Sequence, residues 1–422
     1  MTGEEIRAAD IDFTRYVRPG DTVAWTQGAG EPIALIERLL GQRHEIGPFR
    51  ILIGASYSGV VRPEHADVCT FIGFGAVGST RSLVQSADLD VIPVHLSDVP
   101  VFLSDGTIPV DVLLLQVSEG AAGEPLSLGA VNGYVHEALG RARVAIAEVN
   151  ANAPWTHARE HIDRSVFDVV THSDRALVES RSAEPSALDM AIAENIVSLI
   201  PNGSVLQLGI GAVPTAVAAC LRSHQRLGIH SGVIGDPVVD LIETGAVDNS
   251  TKTIDRGITV TGGLVGTAPL YRFAHRNPSI RVDAVTYTHA QSTLAGLDGF
   301  IAINSAIEVD LTGQVGSEVA GTRYVGTIGG QVDFVRGALA SKGGRSVIGL
   351  PSRTLGKGYS RIVPLVESGV VTVGRADADV VVTEFGVAHL RGRGIRGRIE
   401  QMISIAHPDD RERLAMSVRS AV

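Results

Sequence analysis

Along the chain, short runs of Val, Ile and Leu alternate with segments whose apolar residues recur every three or four positions. The runs predict strands at Thr22–Thr26, Arg50–Ile53, Val91–His95, Val110–Gln116, Arg143–Val149, Val205–Leu208, Gly257–Val260, Ala284–Thr286, Phe300–Ile303, Ser346–Leu350 and Val380–Thr383. Several are continuously apolar, as in DVLLLQ from Asp111. Continuous runs suit strands covered on both faces, as in a mostly parallel sheet. The clearest helix is Ser186–Ile200, with Leu188, Ile192, Ile196 and Ile200 four apart and a capping box from Ser186 to Asp189.

The pattern repeats in order. GDTVAWTQGAGEP (Gly20–Pro32) returns as NGSVLQLGIGAVP (Asn202–Pro214), each a polar turn, a strand, a glycine-rich turn and a Pro placed to open a helix. DVLLLQVSEGAAGEPLSLG from Asp111 pairs with FIAINSAIEVDLTGQVGSEV from Phe300, and ARVAIAEVN from Ala142 with GRSVIGLPS from Gly344. Three pairs in one order point to a duplication: two similar α/β domains, 1–180 and 181–422, joined through the polar stretch Ser173–Pro185. The length agrees, at roughly 150 residues per domain.

Composition narrows the function classes. With 36 Lys and Arg against 46 Asp and Glu, the net charge is −10, which argues against a nucleic-acid surface. Two distant cysteines, Cys69 and Cys220, exclude a disulfide framework and a Cys-based zinc site. The 13 histidines form no HExxH or regularly spaced His/carboxylate set, so no metal is expected. MTGEEIRAAD has no basic region followed by an apolar run, and no stretch of eighteen apolar residues exists, so the expected location is cytoplasmic, away from membranes.

Candidate chemistry sits in the glycine-rich turns. Gly209-Ile-Gly211 follows a strand and leads into a helix, so its N–H groups can hold a phosphate or oxyanion; a plain structural turn reads as well. Gly326, Gly329 and Gly330 precede Asp333 and Phe334, a place for close approach of a ligand to the backbone. Late basic residues, Lys342, Arg345, Arg353, Lys357, Arg361, Arg391, Arg393, Arg396 and Arg398, are candidates to complement ligand phosphates or to form ion pairs.

Taken together, LQLGIGAVP (Leu206–Pro214), LGIHS (Leu227–Ser231), VVDLIETG (Val238–Gly245), INSAIEVDLTGQV (Ile303–Val315), GGQVDFVRGA (Gly329–Ala338), SRIVPL (Ser360–Leu365), DVVVTEFGVAHLRG (Asp379–Gly392) and IAHPDDRERL (Ile405–Leu414) resemble the family I CoA-transferases of the acetyl-CoA hydrolase/transferase group. The resemblance implies two similar α/β domains with mostly parallel sheets and an active site in the cleft between them. It also implies CoA or an acyl-CoA as substrate, a carboxylate or other acyl acceptor, and a homodimer. Members carry a catalytic glutamate directly after the serine of LGIHS, whereas this chain has Gly232. Glycine closes the covalent glutamyl-CoA route at that position. A second departure is Val117–Gly129, which lacks the proline-rich segment usual there.

The expectation is therefore an acyl-CoA-acting enzyme that works without a glutamyl-CoA intermediate, by acyl transfer or by hydrolysis of an acyl-CoA or its acyl chain. The alternatives are a conventional transferase using another carboxylate, or a non-catalytic acyl-CoA-binding subunit. Candidate catalytic residues are His230, Ser231, Glu308, Glu384 and His289; candidate CoA-binding positions are Gly209, Gly211, Gly326, Gly329, Gly330, Asp333, Phe334 and Gly386. His289 is placed by a preceding strand end, and Gly386 as a backbone donor to a thioester oxyanion.

Overall fold

The structure, a computed structural model, describes residues 3–418. Met1 and Thr2 of the decapeptide read for a leader lie outside them. The chain divides into two compact units, 1–181 with 260–288, and 182–259 with 289–422.

The first unit holds an eight-stranded sheet, in the order Glu4–Glu5, Val169–Ser173, Val144–Asn150, Val112–Val117, Thr22–Trp25, Phe49–Ile53, Cys69–Gly73 and Leu89–Val91. Every neighbouring pair is parallel. The sheet is covered on both faces. Val23, Trp25, Ile51, Ile53, Val112 and Leu114 pack on one side with Leu35, Ile36 and Leu39. Ala24, Leu52, Leu113, Leu115 and Val117 pack on the other with Val99, Leu103 and Val135. That alternation explains why the middles of these strands, such as Val112–Leu115, are apolar on both faces.

In the second unit the order is Gly228–Ser231, Val205–Leu208, Phe300–Ser305, Arg345–Gly349, Val380–Thr383 and Gly386–His389. All neighbours are parallel except the last pair. The three sequence repeats land on equivalent strands. Thr22–Trp25, Val112–Val117 and Val144–Asn150 are consecutive neighbours in one sheet, as are Val205–Leu208, Phe300–Ser305 and Arg345–Gly349 in the other. A small sheet of Val315–Gly316, Glu308–Asp310 and Ile362–Val363 stands apart.

Several elements differ from expectation. The predicted strand Ala284–Thr286 is a single helical turn, Val285–Thr288, and the strand lies earlier, at Ile280–Val282. Val91–His95 shifts to Leu89–Val91, because Pro93 has no N–H for a ladder. Pro214 is the third residue of the helix Ala212–Cys220 rather than its first, still within the turn that needs no N–H donor. The helix at Ser186 runs Ala187–Val197 with the expected capping box. No helix among the described residues is long and apolar enough to cross a membrane.

Candidate active site

Parallel strands bring their C-terminal ends to one edge, where α/β sheets collect ligand-binding residues. In the second unit, strand ends lead there into Gly209, Gly232, Ser305, Ser352 and Glu384. Gln331, opening the helix Gln331–Ala340, donates its side-chain N–H to the Ser305 carbonyl (3.3 Å). This ties the Gly326–Gly330 loop to the same edge.

Gly232 faces a filled space. A Cβ at that position would lie 3.0 Å from Nε2 and 3.1 Å from Cε1 of His289, and 3.2 Å from Phe334. A Cβ at Gly330 would lie 2.5 Å from the same Nε2. The His289 ring thus occupies a niche that two missing side chains create, packed on Phe334 at 4.6 Å between centroids. Phe334 continues into Phe300, which His230 meets edge-on. His289 is 2 % exposed, and burial pushes its imidazole down to about 3. A neutral ring of such low basicity is a poor proton acceptor at neutral pH.

That burial has a measurable consequence. A buried neutral histidine contributes stability in full above its unfolded value near 6.5, and the contribution is lost as pH falls toward 3. The slope is about 1.4 kcal/mol per pH unit. The buried carboxylates Glu31 and Glu148, raised by desolvation, act oppositely on acidification. The difference between wild type and His289→Leu isolates the histidine. Denaturation curves from pH 6 to 4 should show the wild type losing stability faster; parallel curves would refute the buried neutral ring.

The other candidates are mostly committed elsewhere. Ser231 donates to the Leu208 carbonyl (2.8 Å), a strand-to-strand tie. Glu384 accepts from Ser352 N–H (2.9 Å) and Oγ (2.5 Å). Glu308 accepts from Ser368 N–H and Oγ (3.4 Å each). Glu318, in the same motif region, takes the Thr372 and Tyr324 hydroxyls (2.8 Å each). These carboxylates hold loops.

Among the candidate binding positions, Gly330, Asp333 and Phe334 surround or adjoin the His289 niche, and Asp333 offers its backbone carbonyl to Gln291 (2.8 Å). Gly329, with φ +52°, sits just before them. Gly326 is required for a different reason: its Cβ would lie 2.1 Å from the Ser317 carbonyl. It lets the loop close on the base of the hairpin Val319–Ala320 and Arg323–Tyr324. Gly209 and Gly211 enter the helix Ala212–Cys220, and Gly386 pairs with Thr383 across the antiparallel edge.

One group escaped the sequence reading. Glu31, 1 % exposed in the first unit, accepts from Ser56 Oγ (2.7 Å) and from the N–H groups of Tyr57 and Ser58 (3.1 Å each). The signal was present: Glu31 stands where the second repeat has Val213.

Comparison with known proteins settles the lineage. Residues 11–180 match the acetyl-CoA hydrolase/transferase N-terminal domain, and residues 266–418 the C-terminal domain. The 4-hydroxybutyrate coenzyme A transferase of Clostridium kluyveri is 39 % identical over 93 % of this chain and 92 % of its own. The chain belongs to the acetyl-CoA hydrolase/transferase family. Another member, succinyl-CoA:cyclohexane-1-carboxylate CoA transferase of Geobacter metallireducens, is 36 % identical over 97 % of this chain and 94 % of its own. RipA from Yersinia pestis superposes with a TM-score of 0.92 at 30 % identity, over 99 % of this chain and 97 % of that one. As a member of this family, the chain acts on acyl-CoA thioesters.

Proposed function

We propose that this member works on its acyl-CoA without a glutamyl-CoA intermediate, by acyl transfer or by hydrolysis of the acyl-CoA or its acyl chain. The observation that carries the reading is Gly232 at the end of the strand Gly228–Ser231, with the His289 ring in the space a side chain there would take. The nucleophile is then external. In hydrolysis, a water oxygen attacks the thioester carbonyl, the C–S bond breaks, and the CoA thiolate leaves and takes up a proton. In transfer, the acceptor carboxylate attacks the thioester carbonyl and gives a mixed anhydride and CoA thiolate. The thiolate then attacks the acceptor's carbonyl, the anhydride C–O bond breaks, and the original acyl group leaves as its carboxylate. Direct attack needs both substrates bound together, so intersecting initial-rate lines are expected instead of the parallel lines of a covalent enzyme.

The second reading, a conventional transferase with another carboxylate, is favoured by the names of its relatives, both CoA transferases. Against it stand the engaged carboxylates of Glu308 and Glu384. A panel of acyl-CoAs assayed for free thiol with and without an acceptor acid separates hydrolysis from transfer. Activity should survive incubation with acyl-CoA and borohydride. Inactivation, with CoA label mapped to Glu308 or Glu384, overturns the proposal. Saturable binding with no turnover on any substrate supports a non-catalytic acyl-CoA-binding subunit. We also propose the domain division 1–180 and 181–422 and a homodimer, to be checked by limited proteolysis and light scattering.

A further inference from the structure

The late basic residues have different roles. Arg353 is held by Asp409 (3.1 Å) and Asp410 (2.7 Å). Arg398 donates to the carbonyls of Thr312 (3.0 Å) and Arg375 (2.7 Å), and Arg391 to that of Leu339 (3.4 Å). Lys342 lies 3.7 Å from Asp298 at the surface.

Arg361 is different. Its backbone is fully used: the N–H donates to the Ser352 carbonyl (2.8 Å) and the carbonyl accepts from Val309 (2.9 Å). Its half-buried guanidinium has no acceptor among the described residues, and its Nε is sealed from solvent. No carboxylate of the described residues pairs with it. Burial lowers its pKa, and no acid offsets this. The pairing of Val309 with Ile362 sets Glu308 beside Arg361 on the neighbouring strand, yet the Glu308 carboxylate turns to Ser368.

Enclosing a guanidinium nitrogen without an acceptor costs stability. A group left in that state in a native fold calls for a partner the chain does not supply. Its position says where that partner sits. Ser352, bonded to Arg361, lies just beyond the strand Arg345–Gly349 and holds Glu384 beyond the strand Val380–Thr383. This is the C-terminal edge of the sheet, the side that carries Gly232.

We propose that Arg361 is the anchor for an anionic oxygen group of the ligand, a phosphoryl or a carboxylate, taken by the guanidinium through charge-assisted hydrogen bonds. The fork of donors suits either group, and an ammonium reproduces the charge without the paired geometry. The proposal rests on the acyl-CoA reading only for its choice of probes. The two sources of such a group are the phosphates of CoA and the carboxylate of an acceptor acid.

The test uses the full chain as wild type, Arg361→Met and Arg361→Lys, with calorimetric titration of CoA, of pantetheine (the same thiol arm without the nucleotide phosphates) and of succinate. Arg361→Met should weaken one anion by about ten- to a hundredfold. Arg361→Lys should recover part of that loss. Weaker CoA with unchanged pantetheine assigns the phosphates; weaker succinate with unchanged CoA assigns the carboxylate. Thermal melting without ligand is the second readout. An arginine with no partner leaves Arg361→Met as stable as wild type or more so, whereas a structural arginine lowers the melting temperature. A lowered melting temperature, or unchanged affinity for both anions, overturns the proposal. If wild type binds no CoA, the acyl-CoA reading fails separately. Arg361 is then decided by pyrophosphate and succinate, one of which must raise the melting temperature of wild type and not of Arg361→Met; no rise with either overturns it.

Discussion

Gly232→Glu should lower both stability and native activity and should not turn the protein into an efficient CoA-transferase. The backbone at position 232 is not left-handed, so the obstacle is space and charge. The new Cβ would already touch His289 and Phe334 at 3.0–3.2 Å, and both of those rings are buried. Overpacking a core costs about 1–3 kcal/mol. An unpaired carboxylate in such surroundings adds several kcal/mol, or stays protonated and is no nucleophile. Because the ring and the missing side chain claim one volume, the two positions should be coupled. Gly232→Glu with His289→Gly should be more stable than the sum of the single changes, by about 1–2 kcal/mol in a double-mutant cycle. Any borohydride-sensitive CoA adduct belongs to that double variant. Additive stabilities, or ready CoA exchange by Gly232→Glu alone, would show that the His289 ring does not compete with a side chain at position 232.

The second large effect is expected far from that niche. Glu31→Ala should destabilise the first unit by about 3 kcal/mol, since it strands two buried N–H donors and a hydroxyl together. Relief of the buried charge offsets part of the loss, as desolvation already raises the Glu31 pKa. For a unit of this size the melting transition should fall by roughly 6–12 °C. Glu31→Gln, which keeps one acceptor oxygen, should fall less. Equal losses in the two variants would mean that packing, not the carboxylate's hydrogen bonds, supports the loop at Tyr57.

The fold was legible because its cause is periodic. A strand covered on both faces is apolar at nearly every position, and Val112–Leu115 shows this directly; its alternate residues enter two different cores. The duplication was legible too, since each copy must rebuild the same strand and glycine turn, and the repeats occupy matching places in the two sheets. Ala284–Thr286 misled because an Ala-Val-Thr triplet carries no sign of whether one helical turn or a strand will follow. His289 was therefore selected from a strand end that does not exist, yet it lies against Gly232.

By itself the sequence determined the α/β class, the repeat, the family resemblance and the absence of a carboxylate at position 232, because each is a property of residue type and order along the chain. Only the tertiary structure decided which groups are engaged. Glu308 and Glu384 looked like spare carboxylates until Ser368 and Ser352 were found on them. Arg361 looked like any member of a basic cluster until its Nε was found enclosed without an acceptor, while Arg353 is held by Asp409 and Asp410. His289 became the ring that fills the space beside Gly232 only when two glycines some hundred residues apart closed on it. The physical reason is that a side chain's hydrogen bonds and desolvation depend on what folding brings within about 3–4 Å of it, and those partners lie at sequence distances no local pattern encodes.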